Sequence, residues 1–214
     1  MKIGVIGTGS MGCNHIRVLK NIPEVDEIVI ADINRENLAR AAKRFSIQKA
    51  YPDFLTLIRQ EHPDGLVIAT LPDSHKEISI EAMKAGIAIL VEKPVAHSLE
   101  DAEEMIRVAE STGVVFTVGH IERFNPVVAK IKDFIADKFM SNIYVVNTHR
   151  IGPFPKRLFG TMGGVLVDLA VHDLDIITYL CGNISSIRSH IIRVEHQEIY
   201  VMALLELENK IKGS

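Results

Sequence analysis

Six residues near the start of the chain, Gly7-Thr8-Gly9-Ser10-Met11-Gly12, restrict the fold more than any other feature. They follow an apolar run, Lys2–Ile6, and lead into a helix-compatible stretch at 11–21. The three glycines have separate physical uses. Gly7 permits a tight turn, Gly9 lets backbone approach a pyrophosphate, and Gly12 allows a helix to pack closely on the strand. An anion at that helix start meets free N–H groups and the positive end of the helix dipole. Alone the motif is weak, because an α/β turn also collects incidental glycines. Asp32, 20 residues after Gly12 and at the end of the next apolar run, supplies the second half of the signal. A carboxylate there accepts hydrogen bonds from the adenosine ribose of a dinucleotide. It also repels a 2′-phosphate, favouring NAD over NADP, while Arg35 is the residue that would reverse the preference by pairing with that phosphate.

Through the first half, short apolar runs alternate with helical stretches. The runs fall at Lys2–Ile6, Glu27–Ala31, 66–69, 87–91 and 114–118. They are rich in Val and Ile and barely alternate with polar residues, as parallel strands covered on both faces do. Ser74 with Glu77 reads as a capping box and Gly86 as the stop of that helix. Ser98 with Asp101 starts another helix, which Gly113 ends in the left-handed conformation. A βαβαβ series of this kind predicts a doubly wound parallel sheet.

The pattern changes after Gly119. Asn125-Pro126 places an N-cap before proline at the first helical position, opening a helix to about residue 137. A strand is expected at 143–150, then a glycine- and proline-bearing loop at 151–164. A helix over 165–180, closed near Gly182, and two long strands at Ile184–Val194 and 198–208 follow. Long strands with few helices predict an α+β unit with an open, antiparallel or mixed sheet, so the expected division is 1–121 and 122–214.

Charge and cysteine content narrow the function classes. A net charge of −3 offers no basic face for displacing the counterions of nucleic acid. Cys13 and Cys181 stand far apart without zinc-type spacing, a pattern of free thiols in a reducing compartment. No apolar run reaches membrane-span length, and the start is too short for a signal-peptide core. The expectation is a cytoplasmic chain without membrane or nucleic-acid partners. The run at 209–214 looks like a turn into another strand, so a long sheet edge would stay bare; a longer parent protein is expected.

Three further features follow in order. Glu92-Lys93-Pro94 closes the 87–91 run, at the carboxyl end of a strand, where open α/β sheets collect ligands. Gly119-His120-Ile121-Glu122-Arg123-Phe124-Asn125-Pro126 marks the crossover. Gly163-Gly164-Val165-Leu166-Val167-Asp168 opens the later helix, with His172 four positions on, so Asp168 and His172 are expected to share a helix face. Together with the glycine loop, Asp32 and Ala69-Thr70-Leu71-Pro72 with His75, this set resembles the Gfo/Idh/MocA family of nicotinamide-dependent sugar and inositol dehydrogenases. The resemblance covers essentially the whole chain.

It implies a Rossmann first domain and a second α/β domain whose open sheet supports a homo-oligomer, a dimer or tetramer. Members run about half as long again, so the second domain here is expected to be incomplete. It implies NAD, with NADP as the alternative, held by Gly7, Thr8, Gly9, Ser10, Met11, Gly12, Asp32, Ile33, Arg35, Thr70, Leu71, Pro72, His75, Glu92 and Lys93. It makes Lys93, Asp168 and His172 the catalytic set of a dehydrogenase acting on CH–OH groups. Oxidising a secondary alcohol removes the hydroxyl proton as hydride leaves the same carbon. His172 suits the general base, Lys93 holds the hydroxyl oxygen or shares the proton transfer, and Asp168 orients His172 or binds a neighbouring hydroxyl.

Lys93, His120, Arg123, Asp168 and His172 are the substrate-facing candidates. Plainer readings stand beside these. His120 and Arg123 meet cofactor or substrate phosphate, or serve an interdomain structural role; Glu92 touches the cofactor or pairs with a lysine. Asp168 and His172 are a solvated or capping pair, or Lys93 only snorkels at a strand end. Metal ligation by Asp168, His172 and Asp175 lacks any third-ligand spacing such as HExxH, so no metal is expected. The 119–126 stretch is similar to a subgroup that oxidises C3 of UDP-N-acetylhexosamines, and Arg123, Arg150, Lys156 and Arg157 are the cations on offer to a diphosphate. Free inositol or a simple aldose is the rival substrate. The rival function is a cofactor-binding but catalytically inactive nucleotide sensor.

Overall fold

Val5 and Ile6 are neighbours in sequence but belong to different cores, which is why strand β1 (Lys2–Ile6) reads as an unbroken apolar run. The structure, a computed structural model, describes residues 1–136, 143–151, 164–194 and 197–214. The chain forms two units, Met1–Gly119 and His120–Ser214.

In the first unit, β1 is joined by β2 (Glu27–Ala31), β3 (Ala50–Tyr51), β4 (Gly65–Ile68), β5 (Ala88–Val91) and β6 (Phe116–Val118). All pairings are parallel, in the order β3-β2-β1-β4-β5-β6. Helices α1 (Ser10–Leu19) and α2 (Arg35–Phe45) bring Ile16, Ala41 and Phe45 onto Val5, Ile30 and Val67. On the other core, α3 (Phe54–Glu61), α4 (His75–Lys84) and α5 (Leu99–Thr112) bring Leu57, Ile78, Met83 and Met105 onto Ile6, Val29, Ile68 and Val91. Burying each Val, Ile or Leu stabilises by roughly 1.5–3 kcal/mol. Strand β4, were it to lose its three buried residues from these cores, would forfeit roughly 4.5–9 kcal/mol, comparable to the ~5–15 kcal/mol net stability of a domain, and the register is fixed. The chain lays β2 and β3 to one side of β1 and β4 to β6 to the other. The strand order thus reverses between β1 and β4, opening a crevice at the carboxyl ends.

Local signals set most helix ends. Asn34 caps α2 through Glu36 and Asn37 N–H groups, Ser98 caps α5 through Asp101 N–H, and Gly113 closes α5 at φ 68°. The Ser74–Glu77 capping box does not form. Pro72 starts a 3₁₀ turn, Pro72–Ser74, and the Ser74 hydroxyl turns back to Thr70 Oγ1 at 2.8 Å and the Leu71 carbonyl at 2.9 Å. Strand β3 was not expected, because two residues carry no periodicity. Near the amino end of β1, buried Glu61 accepts hydrogen bonds from Lys2 Nζ at 2.8 Å, Lys49 Nζ at 2.9 Å and the Tyr51 hydroxyl. These partners hold its carboxyl down at about 2.

The second unit contains α6 (Pro126–Ala136), β7 (Val145–Val146), α7 (Val171–Cys181), β8 (Ile184–Val194), β9 (Gln197–Leu207) and β10 (Lys212–Gly213). Its sheet runs β7-β10-β9-β8, with β10 parallel to β7 and antiparallel to β9, so it is mixed. Ile177 and Cys181 of α7 pack on Leu205 and Leu207 of β9. The expected strand at 143–150 is pared to β7, since its partner β10 is only two residues long. The expected helix over 165–180 is also revised: it begins as a π-helical turn, Leu166–Ala170, in which Val171 N–H reaches the Leu166 carbonyl, and becomes α7 only at Val171. Most of the loop expected at 151–164, with Gly163, Lys156 and Arg157, lies outside the described residues, as does the expected end of α6 near 137. Among the described residues, no helix is long and apolar enough to cross a membrane.

Candidate functional site

The glycine loop occupies the crevice where the strand order reverses. Gly7 has φ 85°, and a Cβ there would lie 2.6 Å from the Ala69 carbonyl oxygen. A Cβ on Gly12 would lie 1.8 Å from the Gly7 carbonyl oxygen, so α1 sits against the strand at a distance only glycine allows. Gly9 differs, since nothing stands within 4 Å of its added Cβ. The first turn of α1 begins at Ser10 and contains no acidic residue. Open space over Gly9 and an unopposed helix N-terminus fit the diphosphate of a dinucleotide.

Asp32 follows β2 and is already engaged with the loop. Its Oδ2 accepts from Thr8 N–H at 2.6 Å and Thr8 Oγ1 at 2.8 Å, and its Oδ1 accepts from Asn34 N–H at 2.8 Å. Thr8 is fully buried, so Asp32 holds the loop in shape; a carboxylate with about four acceptor positions keeps one for a ligand. Ile33 after β2 and Leu71 after β4 are 88% and 73% exposed, placing two apolar side chains after the strands that flank β1. Arg35 stands exposed at the first position of α2, and Ser10 and Met11 are exposed on the loop.

Glu92-Lys93-Pro94 follows β5, with a cis Lys93–Pro94 peptide. Glu92 is buried, its Oε1 2.6 Å from His15 Nε2 and its Oε2 accepting from Lys93 N–H at 3.3 Å. Burial pushes the Glu92 carboxyl up. The His15 bond and charge, then the Lys93 N–H and charge, outweigh burial and hold it below its ordinary value. His75, with no exposure at all, has Nδ1 2.9 Å from the Pro94 carbonyl oxygen and Nε2 3.2 Å from that of Thr70. Lys93 itself is half-buried. Sequence reasoning passed over His15. Its signal was the helix face formed by Gly12, His15, Ile16 and Leu19 at three- and four-residue spacing.

In the second unit, Asp168 lies in the π turn and His172 at the second position of α7, both half-buried. The wider π turn changes the phase between them, so the simple four-residue α spacing does not describe the pair. A Cβ on Gly164, just before the turn, would meet the Glu198 carboxylate at 2.3 Å. Arg123 grips Asp175 with two nitrogens, Nε at 2.9 Å and Nη2 at 2.5 Å, and lies 5.1 Å from the Tyr179 ring centroid. Asp175 is nearly buried and also has His120 Nδ1 at 3.6 Å. Arg150 donates to Asp173 at 2.8 Å and lies 3.4 Å from Glu122. The hydrogen bond it donates to Asp175 raises the Arg123 guanidinium, and the one donated to Asp173 raises that of Arg150. Two of the three arginines offered to a diphosphate, Arg123 and Arg150, are thus paired with carboxylates. Among the described residues, no three His, Cys, Asp or Glu side chains are grouped to hold a metal ion.

Residues 1–120 match a family described as an oxidoreductase family with an NAD-binding Rossmann fold (GFO_IDH_MocA), and residues 128–214 match the GFO/IDH/MocA C-terminal domain. The chain is 28% identical over 184 residues to a myo-inositol 2-dehydrogenase of Thermotoga maritima, a match covering 85% of this chain and 55% of that protein. It superposes on UDP-N-acetylglucosamine 3-dehydrogenase from Acidithiobacillus ferrooxidans with TM-score 0.88 and 26% identity, covering all of this chain and 67% of that one. A dehydrogenase from Bordetella pertussis solved with NADH and UDP-GlcNAcA gives TM-score 0.88 and 25% identity, again over all of this chain and 65% of the other. The chain spans about half the length of the curated relatives it matches.

Proposed function

We propose, from the premise that this chain belongs to the Gfo/Idh/MocA oxidoreductase family and carries its NAD-binding Rossmann domain, that it serves hydride transfer between NAD and a secondary alcohol of a sugar, nucleotide sugar or inositol. The observation that carries the reading is the open cradle over Gly9 with Lys93 following β5 at the same carboxyl end of the sheet. NAD, when bound, supplies the hydride acceptor. Gly7 to Gly12 hold its diphosphate, Asp32 accepts from its ribose, and Ile33, Thr70, Leu71 and Pro72 flank its adenosine end. Asp32 repels a 2′-phosphate, and Arg35 would have to offset that repulsion, so NAD remains the reading over NADP.

To Lys93 of the first unit we assign the binding of the substrate hydroxyl oxygen, where an ammonium favours developing negative charge. To a ring nitrogen of His172, in the second unit, we assign acceptance of the hydroxyl proton, and to Asp168 the orientation of that ring or the binding of an adjacent hydroxyl. The open face of the second sheet carries Ile192, Tyr200, Met202 and Leu204 exposed, and supports self-association.

Fluorescence titration with NADH tests the cofactor half. A screen of UDP-sugars, inositols and aldoses with NAD at alkaline pH tests the dehydrogenase half. Turnover of one class, abolished by Lys93→Ala, is the expected result. Tight NADH binding with no turnover, indifferent to Lys93→Ala, would instead support a nucleotide-sensing module.

A further inference from the structure

The Glu92-Lys93-Pro94 segment is held on both sides by histidines from different helices. From α1, His15 Nε2 lies 2.6 Å from Glu92 Oε1. From the start of α4, His75 Nδ1 lies 2.9 Å from the Pro94 carbonyl oxygen, while its Nε2 faces the Thr70 carbonyl at 3.2 Å. Glu92 is closed in further by Gly119, where an added Cβ would stand 3.1 Å from Oε2. Both ring nitrogens of His75 face main-chain carbonyls and the residue has no exposure, so it has no nitrogen to turn toward a ligand. A neutral imidazole carries one ring N–H, which donates to one of these two carbonyls, so its donor is spent inside the protein; a residue needed only for packing would be apolar here. Each histidine also belongs to a helix that begins at a cofactor loop, α1 at the glycine loop and α4 at the Thr70–Ser74 turn.

We propose that His15 and His75 form a brace that fixes where Lys93 is presented, tying the loops after β1, β4 and β5 into one rigid edge. Both are positioning residues. This rests on the reading of Lys93 as the group that meets the substrate. A side chain acts with geometric accuracy only if its own support is locked, and here the support is the residue on each side of it.

The test uses the full chain with lysines reductively methylated by ¹³C-formaldehyde, so that the dimethyl-Lys93 resonance, assigned by its loss in Lys93→Arg, reports its surroundings. His15→Ala should displace or broaden that resonance and weaken NADH binding about tenfold, while melting stays cooperative. His15→Gln, which keeps a donor toward Glu92, should recover most of both. His75→Ala should act in the same direction, and the His15 pair decides the matter if that variant does not fold. A Lys93 resonance and NADH affinity unchanged in His15→Ala, or equal losses in His15→Gln and His15→Ala, would overturn the brace. The resonance is read without cofactor or substrate. A chain that bound no NADH would therefore sink the functional reading, while the brace would still stand or fall on the resonance.

Discussion

Alanine at Gly9 and at Gly12 should damage different properties, although the two positions are three residues apart in one loop. A Cβ at Gly12 would stand 1.8 Å from the Gly7 carbonyl oxygen, well inside van der Waals contact, and the atom it meets is backbone. The helix start and the strand end must then separate by more than an ångström. Overpacking of this kind costs about 1–3 kcal/mol. For a unit of this size that lowers the melting temperature by roughly 5–15 °C. Gly9→Ala meets nothing within 4 Å, and its φ of −67° suits alanine, so folding should be unharmed. A small gain of about 0.4–1 kcal/mol is the expectation from the reduced freedom of the unfolded chain. Its methyl instead occupies the approach to the diphosphate. Losing one charge-assisted N–H contact costs about 1.5–3 kcal/mol, which is roughly 10- to 150-fold in NADH affinity. Fluorescence titration with NADH alongside thermal melts separates the two effects. Gly9→Ala binding within twofold of the parent, or melting as low as Gly12→Ala, would refute the assignment of the cradle.

Asp32→Ala removes the acceptor of both Thr8 donors, so stability should fall by about 1–3 kcal/mol in denaturant melts. The preference for NADH over NADPH should shrink about tenfold in paired titrations. Glu61 has its carboxyl lowered from 4.5 to about 2, first by the Lys2 hydrogen bond and then by Tyr51 and Lys49. Its contribution is present above the ordinary carboxylate range and is lost as pH falls from about 5 towards 2; Glu61→Gln should flatten melting temperature over that window, and an unchanged slope would count against the cluster. Arg123→Gln leaves nearly buried Asp175 without its two-point partner. It should destabilise by about 1–3 kcal/mol, the cost of a buried pair discounted for the partly exposed arginine; a loss of substrate affinity with stability intact would return Arg123 to the ligand site.

The sheet was legible because its grammar is local and redundant. Lys2–Ile6 and Glu27–Ala31 must be apolar on both faces, and the cores around Val5 and around Ile6 explain why no alternation is visible. Gly7, Gly12 and Gly113 were legible because each place excludes a side chain on steric or backbone grounds. What escaped depends on partners distant in sequence. Strand β3 exists because the end of β2 needs a neighbour, not because Ala50-Tyr51 advertises a strand. Ser74 resembles a cap until Thr70, four residues back, offers its hydroxyl instead. His15 and Glu92 are 77 residues apart, and no spacing rule joins them. The π turn at Leu166–Ala170 has apolar residues around Asp168 that fit an α-helix equally well.

The paired arginines bear on the substrate. A diphosphate approaching Arg123 or Arg150 would have to displace Asp175 or Asp173, each already bound at 2.5–2.9 Å. Exchanging one anion for another recovers little energy, because the incoming phosphate and the displaced carboxylate both need solvation or a new partner. A nucleotide-sugar reading therefore leans on Lys156 and Arg157, which lie outside the described residues. A neutral ring polyol asks for the opposite kind of site, with carboxylates and imidazoles to receive its hydroxyls, and Asp168 and His172 are of that kind. Salt separates the two cases. If a diphosphate is recognised, KM for the UDP-sugar should rise several-fold between 50 and 300 mM salt as the Debye length shortens. Lys156→Glu with Arg157→Glu should raise KM again while kcat stays near the parent value. For an inositol or aldose, neither salt nor the double charge reversal should move KM by more than about twofold, because a neutral substrate has no Coulombic attraction to screen. A UDP-sugar KM that ignores both perturbations would count against recognition of a diphosphate and favour a neutral polyol ring as the substrate class.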